Sequence, residues 1–252
     1  MNICGLTDSG MCRAENQDCF AYASLTKGSE PLALAVVCDG MGGAHGGETA
    51  SRVAATVFVE KMTVEKKRDE EALKAAIVAA NTAVHRKSRE EERFSGMGTT
   101  LVSVLAGKKK VLVAYVGDSR AYLYSKGELR QITRDHSYVQ TLVDSGKITA
   151  EEAKYHPMKN LIMRAVGVKK TVEPDAFSVA WEEGDMILLC SDGFSNEVSP
   201  SEAAAVLAKE NEPLSQRVRD LIGAANCAGG DDNITVLVLE NTKENEWNVE
   251  CQ

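Results

Sequence analysis

Aspartate recurs in this sequence beside apolar runs of β-forming residues. Asp39 follows LALAVVC, Asp118 follows VLVAYVG, Asp192 follows ILLCS, and Asp232 comes just before ITVLVL. Any one of them alone is ordinary turn chemistry, since Asp-Gly and Gly-Asp pairs close loops. Together they imply more. Strand ends in packed sheets converge on one edge, and carboxylates gathered there repel one another and hold their protons more tightly. A divalent cation removes that conflict, and a set of carboxylate, carbonyl and water oxygens suits Mg²⁺ or Mn²⁺ better than Zn²⁺. No histidine pair has zinc spacing.

Glycines surround the first aspartate, in Asp39-Gly40-Met41-Gly42-Gly43-Ala44-His45-Gly46-Gly47-Glu48. They allow close backbone approaches that a Cβ would block. A dinucleotide loop fits poorly, because G-x-G-x-x-G counted from Gly40 needs glycine where His45 stands. A phosphate-binding G-x-x-x-x-G-K-[ST] loop is absent. What remains is a turn that lets Asp39 and the Gly40 carbonyl both face a metal. Arg13 lies in Arg13-Ala14-Glu15-Asn16-Gln17-Asp18. A surface arginine is usually just solvated, but beside a metal cluster its guanidinium fork matches phosphate oxygens. Asp18 is a further ligand or a turn residue. In Gly117-Asp118-Ser119-Arg120, Asp118 is assigned to metal and Arg120 to structure, paired with Asp118 or another carboxylate.

Strands are expected at Leu32–Cys38, Thr100–Ala106, Val111–Val116, Ala121–Tyr124, Met186–Cys190 and Ile234–Leu239, with a further one at Cys19–Ala23. Turns at 107–110 and at Lys126-Gly127 point to antiparallel hairpins. Apolar residues at helical spacing mark amphipathic helices over Gly47–Val64 and from Glu70 to about Arg89. Ser199-Pro200-Ser201-Glu202 is a helix start with N-cap serine, proline at the first position and glutamate three after the cap. A last helix follows Leu214. Two helices after the early strands and two before the last one imply antiparallel sheets covered by helix pairs, an α+β layered domain. One domain over residues 1–240 is expected, followed by a polar, frayed tail at 241–252.

A chain of 252 residues, 44% hydrophobic, can bury a substantial core. Its net charge of -8 argues against a general affinity for nucleic acid or anionic membranes. No apolar run is long enough to span a bilayer, and the first ten residues lack the pattern of a secretory signal, so a cytoplasmic location is expected. The seven cysteines, an odd number with no C-x-x-C pair, read as buried free thiols.

These residues resemble the PPM family of metal-dependent protein phosphatases (protein phosphatase type 2C), in its compact bacterial form. The match runs through Arg13-x-x-Asn16-Gln17-Asp18, Asp39-Gly40-Met41-Gly42-Gly43, Gly98-Thr99-Thr100, Gly117-Asp118-Ser119-Arg120, Thr133-Arg134-Asp135-His136-Ser137, Ser191-Asp192-Gly193 and Gly229-Gly230-x-Asp232-Asn233-Ile234-Thr235. The resemblance implies a β-sandwich of two antiparallel sheets flanked by helix pairs, and a centre of two Mn²⁺ or Mg²⁺ ions with a looser third. Carried over by position, Asp39 bridges two metals, the Gly40 carbonyl binds one of them, and Asp192 and Asp232 complete the other. Asp118 serves the third metal with Asp192, and Asp18 acts directly or through water. The segment 137–166 resembles the family's flap, near the substrate cleft. Two positions depart from the pattern. Gln17 stands where some relatives have glutamate. His45 comes one residue later than the histidine that many bacterial relatives carry after the glycines, and it is a histidine beside this loop that the resemblance implicates as general acid.

The reaction so implied is hydrolysis of phosphoserine and phosphothreonine in proteins, opposing a serine/threonine kinase. A water bridging the two metals is deprotonated and attacks phosphorus in line, with no phosphoenzyme. Arg13, Asp39 and Asp192 carry the catalytic roles. Tyrosine-phosphatase chemistry is excluded, because no cysteine is followed five residues later by arginine. Two rivals are a pseudophosphatase that binds phosphoproteins without turnover and a metal-dependent hydrolase of small phosphoesters. Retained aspartates count against the first, since buried carboxylates without a metal are costly.

Overall fold

The computed structural model describes the backbone of residues 1–243 and 248–249, and side chains over 1–43 and 46–243. Its strands are β1 (Asn2–Asp8), β2 (Asp18–Lys27), β3 (Glu30–Met41), β4 (Gly98–Thr99), β5 (Leu101–Ala106), β6 (Lys110–Val116), β7 (Arg120–Ser125), β8 (Glu128–Gln131), β9 (Asp175–Ala180), β10 (Met186–Cys190), β11 (Ile234–Glu240) and β12 (Asn248–Val249). The helices are α1 (Gly43–Val64), α2 (Glu70–Glu90), α3 (Tyr138–Asp144), α4 (Ala150–Lys154), α5 (Asp192–Ser195), α6 (Pro200–Leu207) and α7 (Leu214–Ala228). One sheet has the order β12-β1-β11-β10-β7-β8, the other β2-β3-β5-β6-β9 with β4 paired to β3.

Alternate residues of a single strand enter different cores. In β3, Ala33, Ala35 and Val37 pack between the two sheets, while Leu34, Val36 and Cys38 pack under α1 and α2. In β11, Leu237 and Leu239 face the other sheet, while Val236 and Val238 face α6 and α7. A strand buried on both faces has no reason to alternate with polar residues, which explains the continuous apolar runs. The result is four layers, helix pair, sheet, sheet, helix pair, the α+β sandwich expected. The caps of α2 and α6 follow from local chemistry. Asp69 accepts a hydrogen bond from Ala72 N to start α2, and Ser199 with Glu202 forms a complete capping box at α6.

Several expectations are corrected. β3 runs on to Met41 and α1 begins at Gly43, so most of the glycine run forms the first turn of a helix rather than a loop. β1 and β9 were not expected from the pattern, and neither were α3, α4 and α5. The boundary after residue 240 does not mark the end of ordered contacts. Asn241 is buried, donating from Nδ2 to the carbonyls of Lys108 and Glu182, and β12 pairs parallel to β1. Residues 244–247 and 250–252 of the expected tail lie outside the described residues. Among the cysteines, Cys38 and Cys190 are buried free thiols as expected, Cys19 is half-buried, and Cys12 and Cys227 are exposed. Cys4 is disulfide-bonded.

Strand direction gathers the chemistry at one edge. β3, β6 and β10 run toward it and β5, β7 and β11 run away, as the antiparallel registers require. Asp18 and Asp39 face each other across the β2–β3 ladder. Asp8 at the end of β1 pairs with Ile234 at the start of β11, which puts the Arg13 loop at that edge too.

Candidate active site

Five carboxylates reach the edge, each by a different route. Asp18 opens β2, Asp39 lies near the end of β3, Asp118 sits in the β6–β7 turn, Asp192 opens α5, and Asp232 precedes β11. Asp18 is 8% exposed and Asp118 is 7% exposed. Burial pushes the Asp18 carboxyl up to about 7, against the pull of two hydroxyl donors, and the charges of Asp192 and Asp232 push further. Burial likewise pushes Asp118 up to about 7, aided by Asp192 and Asp135. Asp39 is raised well above the usual carboxylate range by burial and then by Asp18, Asp192 and Asp118. Asp192 is raised by burial and by Asp232, while a hydrogen bond shared with Asp39 and the charge of Arg120 draw it back.

Burial is the largest cause of each shift, and the neighbouring carboxylates add to it. The buried Oδ1 atoms of Asp18 and Asp118 have no hydrogen-bond partner, so lone pairs are held ready and unused. At Gly40 a Cβ would stand 2.1 Å from the Gly47 carbonyl oxygen, so only glycine lets β3 and α1 approach this closely. All donors are oxygens. Among the described residues no group of three or more His, Cys, Asp or Glu side chains stands as a ready metal-holding cluster, and the carboxylates meet pairwise, Asp39 sharing a hydrogen bond with Asp192 and Asp118 feeling the charge of Asp192. Burial, charge and donor type together fit hard divalent cations.

A layer of polar groups holds the carboxylates in place. Ser191 and Thr235 each donate a hydroxyl to Asp18 Oδ2 at 2.7 Å. Asp39 is fixed through its backbone: its N–H donates to Thr100 Oγ1, and its carbonyl accepts from Thr99 Oγ1 and Thr100 N. Asn233 ties three segments together, accepting from Gln17 N and donating to the carbonyls of Ser9 and Glu15. Sequence reasoning gave none of these groups a role, although all lie inside the quoted motifs. Only their position beside an aspartate could have signalled them.

Arg13 is 57% exposed and its Nη2 donates to Asp232 Oδ2 at 2.8 Å. The arginine therefore reaches the carboxylate cluster. Gln17 commits its amide to the glycine run, with Nε2 donating to the Gly43 carbonyl. Arg120 pairs with Asp135 rather than Asp118, through Nε at 3.1 and 3.0 Å and Nη2 at 2.7 Å. The side chain of His45 lies outside the described residues. From 137 to 166, α3 and α4 lie in the segment expected to be the flap, which is tethered by Tyr138 N to the Leu161 carbonyl, Met163 N to the His136 carbonyl, and Val166 N to the Thr99 carbonyl.

A sandwich between helix pairs, with carboxylate oxygens gathered at one edge, defines a class by its fold and donor set: layered α+β proteins suited to hard divalent cations. Comparison with known proteins is more specific. Residues 13–227 match the family profile "Protein phosphatase 2C". The chain is 39% identical over 239 residues to the serine/threonine phosphatase Stp of Listeria welshimeri, covering 93% of each. It superposes on the crystal structure of the Mycobacterium tuberculosis serine/threonine phosphatase PstP/Ppp with a TM-score of 0.84 and 37% identity, covering 94% of this chain and 98% of the other. A structure of the PstP catalytic domain in complex with two manganese ions gives a TM-score of 0.81, covering 94% and 96%. The chain belongs to the protein phosphatase 2C family.

Proposed function

We propose that the aspartate edge is the catalytic centre of a protein serine/threonine phosphatase and that its carboxylates hold two Mn²⁺ or Mg²⁺ ions, with a third held more loosely. The observation that carries this is the set of partly or wholly buried carboxylates with raised proton affinity and unused oxygens, in a chain of this family. Asp39, Asp192 and Asp232 with the Gly40 carbonyl would be the principal ligands, Asp118 and Asp192 would serve the looser ion, and Asp18 would act directly or through water. Bound cations supply an activated water and neutralise charge on the phosphoryl oxygens.

Arg13 orients the phosphate. Its guanidinium stands beside Asp232, so phosphate oxygens approaching the cluster meet a bidentate donor there. Ser191, Thr235, Thr99 and Thr100 hold Asp18 and Asp39 in their directions, which is preorganisation rather than chemistry.

The substrates are phosphoproteins, and a serine/threonine kinase supplies them. None of the described helices is long and apolar enough to cross a membrane. A cytoplasmic location is supported by five free thiols among the described residues, two of them exposed, while the Cys4 disulfide runs against it. The test is phosphate release from a phosphothreonine peptide with Mn²⁺, then with excess chelator. Turnover that stops on chelation and returns with metal supports the reading. Turnover of small phosphoesters but of no phosphopeptide would favour the small-molecule alternative, and binding without turnover the pseudophosphatase.

A further inference from the structure

A cavity of about 610 Å³ opens from the carboxylate cluster, with Asp118 and Asp192 at its inner end. The flap forms one side through Tyr155, Lys159 and Asn160, and the segment after α5 forms the other through Asn196 and Glu197. Tyr155 is 81% exposed, a large ring left open to solvent beside a groove that leads to the reaction centre. The charges lining the groove are mostly satisfied. Arg120 is held by Asp135, Lys154 by Glu151 at 2.7 Å, and Glu202 by the cap of α6. Lys159 differs: among the described residues it has no carboxylate partner. Glu197, which also lines the groove, likewise has no cationic partner among the described residues.

We infer that this groove takes the stretch of substrate chain flanking the phosphorylated residue, and that Lys159 selects an acidic side chain there. The inference rests on the phosphatase reading above. A peptide whose phosphate lies at Asp118 and Asp192 can run along this groove, which Lys159 and Glu197 both line. An aspartate or glutamate on the flap side gains an ion pair with Lys159. The same residue placed against Glu197 is repelled, so the preference is tied to particular positions in the peptide. An exposed pair of this kind changes kcat/KM by about fivefold or less. Being exposed, it weakens with salt.

The experiment uses the full chain with Mn²⁺ and a phosphothreonine peptide of otherwise neutral sequence. Asp, Ala or Lys is placed in turn at each of the nearest positions on both sides of the phosphothreonine. The quantity read is the ratio of kcat/KM for the Asp peptide to that for the Lys peptide, compared between the wild type, Lys159→Gln and Lys159→Glu. The wild type should prefer Asp at one or two positions by about fivefold at low salt. Lys159→Gln should flatten that preference and Lys159→Glu reverse it at the same positions. The same ratios in all three proteins, with the neutral peptide turned over, would overturn the inference and leave the phosphatase reading intact. No turnover of any peptide would overturn both.

Discussion

Replacing Asp18 by asparagine removes one buried charge while keeping the shape of the side chain. The amide oxygen can still accept from Ser191 and Thr235, as Asp18 Oδ2 does, and the NH₂ group takes the place of the unpartnered Oδ1. In chelated wild-type protein the Asp18 carboxyl has its proton affinity raised from 3.8 to about 7 by burial. A raised acid binds more protons folded than unfolded, so stability falls as pH rises from 3.8 through about 7, and the penalty is complete above that. At pH 8 it amounts to roughly 4 kcal/mol, and at pH 5 to under about 2 kcal/mol. The unpaired NH₂ costs about 1–3 kcal/mol at either pH. The variant's stability relative to wild type should therefore rise by roughly 2–3 kcal/mol between pH 5 and pH 8, or about 5–10 °C in Tm for a domain of this size. Thermal unfolding of both proteins in chelator at the two pH values measures it. With saturating Mn²⁺ the advantage should disappear. A variant that loses the same Tm at both pH values would refute the claim that Asp18 is a buried carboxylate awaiting a cation.

Asp39→Asn and Asp192→Asn should each lower kcat for a phosphothreonine peptide by at least roughly 10²–10³-fold, since each removes charge from the shared centre; stopped-time phosphate release checks this. Arg13→Ala should mainly raise KM with little change in Tm, because the side chain is exposed, and Arg13→Lys should recover little of the bidentate contact. Arg120→Ala should destabilise by about 3–5 kcal/mol in denaturant titration, since it strands Asp135, and Arg120→Ala with Asp135→Asn should recover part of that loss.

What the sequence disclosed follows from where burial acts. Strands buried on both faces announce themselves as apolar runs, so β3, β5, β6, β10 and β11 were legible, and the aspartates at their ends came with them. β1 was hidden by its glycine. Gly5 is there because a Cβ would stand 2.6 Å from Leu237 and 2.7 Å from Phe20, a tertiary demand that leaves no local pattern. β9 is an edge strand with its residues half-exposed, so no apolar run marks it. Arg120 was read as structural, but its partner Asp135 belongs to a separate loop and is set by packing. The supporting hydroxyls of Ser191 and Thr235 could not be told from turn residues without knowing that both point at Asp18.

Divalent-cation binding tests the central claim most directly, because it needs no substrate. Titration of chelator-stripped protein with Mn²⁺, followed by calorimetry or by the spin resonance of free Mn²⁺, should give about two ions per chain, with a weaker third at higher concentration. Asp39→Asn should lose most of this binding while keeping its fold by circular dichroism. Wild-type protein that binds no Mn²⁺ or Mg²⁺, or an Asp39→Asn variant that binds as the wild type does, would contradict the account.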